Sequence, residues 1–228
     1  MLTSEFSTQF DIYFNNIMSN QAPGIDEYEK SVYLTDAEKQ IILEIYTGKF
    51  EVTEQARRSI DSLVKTANLS PESIDSTEFS NTYRINTSTS TFLLPSDVWF
   101  ITYEAALYDE DSGCAKDKIV EVIPTTQDDL HRILNNPFRG PSLNKVLRLD
   151  CGNSEVELVS KYNIGTYKIR YIATPRPIIL EKLEGVTIDG ESEVTECELH
   201  ESLHPAILER AVLLAKQSWV NLKAYNNK

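Results

Sequence analysis

Apolar side chains recur at helical spacing through the first part of the chain, and this pattern predicts helices there. Phe6, Phe10 and Phe14 lie four residues apart, so a single helix places all three on one face. A stripe of this kind is typical of a helix that packs against a hydrophobic core. Residues 20–24 include a proline and a glycine and predict the end of this first helix.

A second and a third helix are predicted to follow. Residues 31–34 are rich in β-branched and aromatic side chains and predict a short β-like piece. The segment Thr35–Glu38 has the spacing of a capping box, so the second helix is predicted to begin at its threonine. Gly48 suits the left-handed C-terminal cap of this helix. The third helix is predicted from about Thr53 until shortly before Ser70.

The character of the chain changes after Pro71, where short runs of β-branched and aromatic residues replace the helical spacing. Residues 98–108 and 119–123 predict a hairpin with a long acidic tip. A short helix is predicted at residues 127–134. The other predicted strands are residues 83–85, 146–149, 155–159 and 166–172. Alternation in the third of these predicts that one face of that strand meets water.

The last part of the chain predicts an acidic loop, residues 181–198, and a closing helix that begins at Pro205, since proline is tolerated in the first helical turn. The predicted fold class is α+β: a helical bundle of three N-terminal helices plus the C-terminal helix, with an inserted antiparallel β-rich domain. The predicted boundaries are 1–70 for the N-terminal part of the bundle, 71–180 for the β-rich domain with one short helix, and 181–228 for the acidic loop and the closing helix.

The 228 residues include 35 acidic and 22 basic side chains, which gives a net charge of −13. Proteins that grip a nucleic-acid backbone usually present a basic face, so a sequence-reading or strand-wrapping role is disfavoured. The charge is uneven, because residues 131–180 hold eight basic and three acidic side chains between acidic flanks. This asymmetry suits complementary contacts between copies or with a partner, and chance scatter over a solvated surface is the alternative.

No run of residues approaches the roughly 20 apolar residues of a membrane-spanning helix, and the N-terminal segment lacks the basic region of a signal peptide. The three cysteines, Cys114, Cys151 and Cys197, are odd in number and have no CxxC spacing. We therefore expect free thiols in a reducing compartment.

Residues 200–204 match the HExxH signature of zinc proteases, with His200 and His204 as the would-be ligands. That chemistry needs both imidazoles on one face of a helix, with the glutamate beside the metal-bound water. Pro205 follows directly, and a residue before proline is disfavoured in the helical conformation. The segment before the motif is also acidic and not apolar. The motif is therefore interpreted as the junction between a loop and the closing helix, with Leu203 as a core contact.

Other candidate chemistry in the sequence is less specific. Cys197 lies near His200, but its acidic surroundings would raise the pKa of the thiol instead of activating it. His131 is interpreted as an exposed residue of the short helix. Residues 109–113 resemble part of a calcium loop but lack the required glycine and glutamate, so a solvated hairpin tip is expected. No catalytic, cofactor-binding or metal-binding residue is therefore predicted, and no cofactor.

Four stretches of the chain occur together in an order that resembles one known family. They are residues 28–35 (YEKSVYLT), 126–139 (TQDDLHRILNNPFR), 171–179 (YIATPRPII) and 197–211 (CELHESLHPAILERA). In this order, over residues 5–222, they resemble the head-to-tail connector proteins (ring or adaptor proteins) of short-tailed bacteriophages. Within that group, the ring proteins of the crAss-like phages of gut bacteria are the most similar.

The resemblance implies a structural protein of the virion and not an enzyme. It implies self-association into a ring of about twelve copies, and contacts with the portal or with neighbouring ring and tail proteins. Double-stranded DNA would pass through this portal and tail connector during ejection without specific binding. It also implies that the protein has no membrane partner and that it assembles in the host cytoplasm. The alternatives are another phage tail-hub or attachment subunit, and a soluble enzyme whose site carries no sequence motif.

Overall fold

The computed structural model describes residues 1–17, 24–49, 58–71, 88–136 and 138–226. The helices are α1 (Thr3–Ile17), α2 (Glu27–Thr47), α3 (Gln127–Leu134) and α4 (His204–Asn226). The strands are β1 (Val64–Leu69), β2 (Ser88–Leu93), β3 (Val98–Tyr108), β4 (Ile119–Pro124), β5 (Lys145–Gly152), β6 (Glu155–Ser160) and β7 (Ile164–Ala173). Residues 1–63 and 175–228 form one unit, the helical unit, and residues 64–174 form a second, the sheet unit. The α+β class is confirmed.

The buried face of α1 is the one that the sequence predicts. Phe6, Phe10 and Phe14 are 1%, 0% and 5% exposed. Both α1 and α2 pack on α4, whose Ile207 and Ala211 are fully buried. Burial of one such aromatic side chain stabilises the fold by roughly 2–3 kcal/mol, so these contacts hold the helical unit together.

The second helix begins at Glu27 and not at Thr35, and the predicted β-like piece at residues 31–34 is wrong because it lies inside α2. Asp26 caps the helix, and its Oδ1 accepts a hydrogen bond from the backbone N–H of Glu29 at 2.7 Å. Gly48 ends it in the left-handed conformation, at φ 72°, as predicted. The helix therefore begins at the earlier cap, Asp26, and the segment Thr35–Glu38 does not cap a helix.

The hydroxyls of α2 instead hold the chain that follows the sheet unit. The N–H of Ile178 donates to Thr35 Oγ1 at 3.0 Å, and the N–H of Leu180 donates to Ser31 Oγ at 3.0 Å. Thr35 is 2% exposed and Ser31 fully buried. These bonds satisfy backbone groups of an irregular segment that water does not reach.

We expect Thr35→Val to destabilise the protein by about 1–3 kcal/mol, because it leaves the buried N–H of Ile178 without an acceptor. Thr35→Ser keeps the hydroxyl and is expected to retain most of the stability. Urea unfolding of the two variants measures the difference. A loss in Thr35→Ser as large as that in Thr35→Val would contradict this account, because serine keeps the acceptor for the N–H of Ile178.

Of the predicted third N-terminal helix, Arg58 and Ser59 are helical in the part of the chain that the structure describes, but its predicted continuation toward Ser70 is wrong. Asp61–Leu63 form a 3₁₀ turn, and Val64 begins β1, which pairs antiparallel with β7. The predicted start near Thr53 lies outside the described residues. Pairing with a neighbouring strand overrides the local helical pattern here. The predicted bundle of four helices is also wrong, since the helices of the described helical unit that have more than one turn are α1, α2 and α4.

The sheet unit is a single seven-stranded sheet in the order β1-β7-β3-β4-β5-β6-β2. The predicted hairpin is confirmed as β3 and β4, which pair antiparallel. The prediction of an antiparallel sheet fails for one pair, because β4 and β5 are parallel. The chain between these two strands is long enough for a crossover and contains α3, as a parallel connection requires. The strand predicted at residues 83–85 lies outside the described part.

The sheet curls around its own interior. Phe92, on edge strand β2, lies against Tyr167 of β7, the second strand from the opposite edge, with ring centroids 5.4 Å apart. The outer face of β5 and β6 is covered by α3, whose Leu130 packs with Leu149 and Val159. The prediction of a wet face on β6 is therefore wrong, since even Glu157 is only 6% exposed.

Candidate functional site

The two histidines of the HExxH match have separate roles. His200 is exposed and caps the 3₁₀ turn Glu201–Leu203, and its Nδ1 accepts a hydrogen bond from the N–H of Ser202 at 3.2 Å. His204 is the first residue of α4 and is 3% exposed. Leu203 is buried, so the predicted core contact is confirmed. Within the described residues, no three His, Cys, Asp or Glu side chains come together as a metal site would need.

Both ring nitrogens of His204 have partners. Nδ1 lies 2.9 Å from the amino group of Met1, and Nε2 lies 3.1 Å from the carbonyl oxygen of Leu199. The imidazole also lies against Phe6, with ring centroids 5.1 Å apart. Burial lowers its pKa below the ordinary value, and the nearby amino group lowers it further. His204 is therefore a neutral link between the start of α4 and α1.

A buried carboxyl and a thiol face each other in the helical unit. Glu38 of α2 is fully buried, and Cys197 Sγ donates to its Oε1 at 3.1 Å. The other oxygen, Oε2, has no hydrogen-bond partner among the described residues. Burial raises the pKa of Glu38 to about 8, and the charge of Glu198 also raises it. Glu38 therefore carries a proton at neutral pH.

Burial and this carboxyl together determine the protonation state of the thiol. Burial raises the pKa of Cys197, and the adjacent Glu38 raises it further. The thiol is therefore protonated and is a poor nucleophile at neutral pH. Its hydrogen bond goes to Glu38, so the arrangement lacks the geometry of an activated cysteine–histidine pair. Cys151 and Cys197 are free thiols, as expected, and the Cys114 side chain lies outside the description.

A charged pair lies inside the curled sheet. Arg148 Nη1 of β5 donates to Glu104 Oε1 of β3 at 2.5 Å, and the Tyr167 hydroxyl of β7 donates to Glu104 Oε2 at 2.7 Å. Both charged side chains are 11% exposed. Burial raises the pKa of Tyr167, which keeps the phenol a donor. The pair ties three strands together. Arg148 Nε is buried without a hydrogen-bond partner among the described residues, and it lies 3.2 Å from Asp150 Oδ1.

The other residues that the sequence analysis considered do not converge on a site. His131 is exposed on α3, as predicted. Asp109 caps the tip of the hairpin, where its Oδ1 accepts from the N–H of Glu110 at 2.7 Å. A cleft of about 780 Å³ lies at the ends of β1 and β2. Its described lining contains no titratable side chain, so it offers no group for acid–base chemistry.

The most exposed large apolar side chain of the described residues is Phe138, at 91%. Its carbonyl accepts from Lys145 Nζ at 3.3 Å, and Lys118 Nζ donates to Asn144 Oδ1 at 2.5 Å. These bonds bring the start of β4 and the turn before β5 to the same surface. We call this surface the Phe138 patch, which consists of Lys118, Ile119, Phe138, Arg139, Leu143 and Lys145.

Hydrogen bonds fix the acidic loop, residues 181–198, at its base and in its middle. Ile179 and Thr195 exchange two backbone hydrogen bonds, at 3.2 and 3.1 Å, and Ile188 and Glu191 exchange two at 2.9 Å. Leu183 and Ile188 are buried against Val32 of α2. The loop carries seven acidic residues and one lysine. It is therefore an ordered acidic surface of the helical unit.

Negative charge is concentrated in the helical unit. This unit holds 20 acidic and 11 basic residues, a net charge of −9, and the sheet unit holds 15 and 11, a net charge of −4. Of the basic stretch at 131–180, Arg148 is buried in the sheet while Arg139 is exposed. No helix in the described part of the chain is both long and apolar enough to cross a membrane.

Comparison with known proteins agrees with the resemblance inferred from the four stretches. The sequence model of a family described as phage tail ring protein 3/4 matches residues 1–227. Ring protein 3 of Bacteroides phage crAss001 is 44% identical over 224 residues, which cover 94% of this chain and 95% of that protein. Ring protein 4/5 of the same phage is 35% identical, over 96% of this chain and 94% of that protein. The chain therefore belongs to the phage tail ring protein 3/4 family of the crAss-like phages.

Proposed function

We propose that this chain is a structural subunit of the virion, without catalytic activity, that forms a ring of about twelve copies in the connector between the portal and the tail. The match of the ring-protein family over residues 1–227 carries this proposal. The ring is a conduit for double-stranded DNA between capsid and tail, and it forms in the host cytoplasm before joining the portal or neighbouring ring and tail proteins.

The two-part fold supports such a role. The helical unit and the sheet unit, with net charges of −9 and −4, offer surfaces of different charge to different neighbours. A closed ring is built from a heterologous contact, in which one surface meets a different surface on the next copy. A chain with two distinct units has the separate surfaces that this geometry needs.

Native mass spectrometry and negative-stain electron microscopy of the purified full chain test the proposal. We expect closed rings of about twelve copies. A closed oligomer with a different number of copies would favour a tail-hub or attachment subunit. A monomer that is also absent from purified virions by mass spectrometry would contradict the proposal.

The conduit role also predicts that the chain does not hold DNA. Its net charge is −13, so the surface repels phosphates instead of releasing their counterions. We expect no change in the fluorescence anisotropy of a labelled duplex when the protein is added at low salt. A basic DNA-binding protein on the same duplex is the positive control. Binding that weakens as salt is added would contradict the prediction.

A further inference from the structure

The turn that carries Phe138 is fixed by its own hydrogen bonds. Asn136 Oδ1 accepts from the N–H of Phe138 at 2.9 Å, and the carbonyl of Asn136 accepts from the N–H groups of Arg139 and Gly140 at 3.1 and 2.9 Å. The aromatic ring is thus presented to solvent by an ordered backbone. An aromatic side chain on an ordered turn binds with less loss of backbone entropy, and aromatic residues including phenylalanine are enriched in protein interfaces.

The surroundings of this ring combine apolar and basic groups. Ile119 is 60% and Leu143 41% exposed. The exposed Arg139 has no ion-pair or hydrogen-bond partner for its guanidinium among the described residues. A cleft of about 300 Å³ opens between Arg139 and Lys145. Glu121 lies opposite Lys145 on β4, so the patch has an acidic edge, while its centre is aromatic and basic.

The acidic loop has the complementary character. Glu181, Glu184 and Glu196 are exposed and form no ion pair with any residue that the structure describes. Two valines of the loop, Val186 and Val194, are 47% and 48% exposed. The loop therefore offers unpaired carboxylates beside apolar side chains, which matches the basic groups of Lys118, Arg139 and Lys145 beside Phe138.

We propose that the Phe138 patch of one copy binds the acidic loop, residues 181–198, of a neighbouring copy. This inference rests on the proposed ring and names the contact that closes it. The two surfaces lie on different units of the chain, so their association is heterologous and continues from copy to copy. Aromatic and arginine side chains at its centre supply the affinity, and the surrounding charges fix the register.

Phe138→Ala tests the patch without touching the core, because the ring is 91% exposed. We expect self-association measured by analytical ultracentrifugation to weaken by about 30-fold or more, as for a typical interface anchor. The thermal unfolding midpoint is expected to stay unchanged. Tyr103→Ala is the matched control, since Tyr103 is an aromatic residue of the same unit that is 60% exposed outside the patch. It is expected to leave self-association unchanged.

A second pair of variants tests the loop. Neutralisation of Glu181, Glu184 and Glu196 to glutamine is expected to weaken self-association and to reduce its dependence on salt. Neutralisation of Glu29, Asp36 and Glu209, which are exposed on α2 and α4, makes the same change in net charge elsewhere. This control is expected to favour association slightly or leave it unchanged, because it only reduces general repulsion.

The outcomes separate this inference from the proposed function. Rings that form equally well with Phe138→Ala and with the neutralised loop would overturn the contact and leave the ring function standing. Normal self-association with loss of Phe138→Ala subunits from virions would assign the patch to a different tail protein and also overturn the inference. Wild-type protein that stays monomeric at its highest soluble concentration would overturn the direct contact between copies.

Discussion

Replacement of Glu38 by glutamine is expected to stabilise the protein at alkaline pH by about 5 kcal/mol and to change little near the pKa of a free glutamate. The carboxyl is fully buried, and its pKa is raised from 4.5 to about 8. Between these two pH values the folded state keeps a proton that the unfolded state has lost. Stability therefore falls as pH rises through this window, and it levels off above about pH 8.

Urea unfolding of the wild type and Glu38→Gln over this range of pH measures the effect. Glutamine has the shape of the protonated carboxyl and keeps the acceptor for the Cys197 thiol. The variant is therefore expected to lack the loss of stability that Glu38 causes as pH rises. Asp36→Asn on the exposed face of the same helix is the matched control and is expected to follow the wild type. Parallel stability curves for wild type and Glu38→Gln would show that Glu38 is charged in the folded protein.

Removal of the charged partner inside the sheet is expected to have the next largest effect. Arg148→Met leaves the Glu104 carboxylate, which is 11% exposed, without its cation. A nearly buried and uncompensated charge costs about 3–5 kcal/mol of stability. Arg132→Met is the control, because Arg132 forms an exposed pair with Asp129, and such pairs contribute less than about 1 kcal/mol.

A double-mutant cycle separates the charge from the packing. Arg148→Met combined with Glu104→Gln removes both charges, and the Tyr167 hydroxyl keeps an acceptor at position 104. The double variant is expected to be more stable than Arg148→Met alone, because no unpaired charge remains. Additive losses of stability in the cycle would indicate that the pair contributes through its shape and not through its charge.

The parts of the fold that follow from local pattern could be predicted from the sequence. The aromatic stripe of α1 and the glycine that ends α2 depend on neighbours a few residues away, and the β3–β4 hairpin joins strands that follow each other in the sequence. The parts that failed depend on distant neighbours. Residues 64–69 are a strand because β7 pairs with them. Thr35 lies within the helix that Asp26 caps, and its hydroxyl accepts from the N–H of Ile178, which is distant in sequence.

The candidate site residues were harder to predict for the same reason. Glu38 lies in the apolar stripe of α2, between Leu34 and Ile41, and this position indicates burial. The interpretation of Glu38 as part of a capping box instead predicts that it lies in the first turn of a helix. Glu104 and Arg148 are single charges within strand patterns, which show burial but not which partner each has. Phe138 lies among turn residues, and only the structure reveals that its ring is exposed.

The central claim is that copies of this chain form a ring in the virion. The most direct test is an electron cryo-microscopy reconstruction of the tail of the phage that encodes it, at a resolution that allows the chain to be built. We expect a closed ring of about twelve copies on the path of the DNA between portal and tail. A reconstruction in which the tail contains no ring built from this chain would contradict the claim.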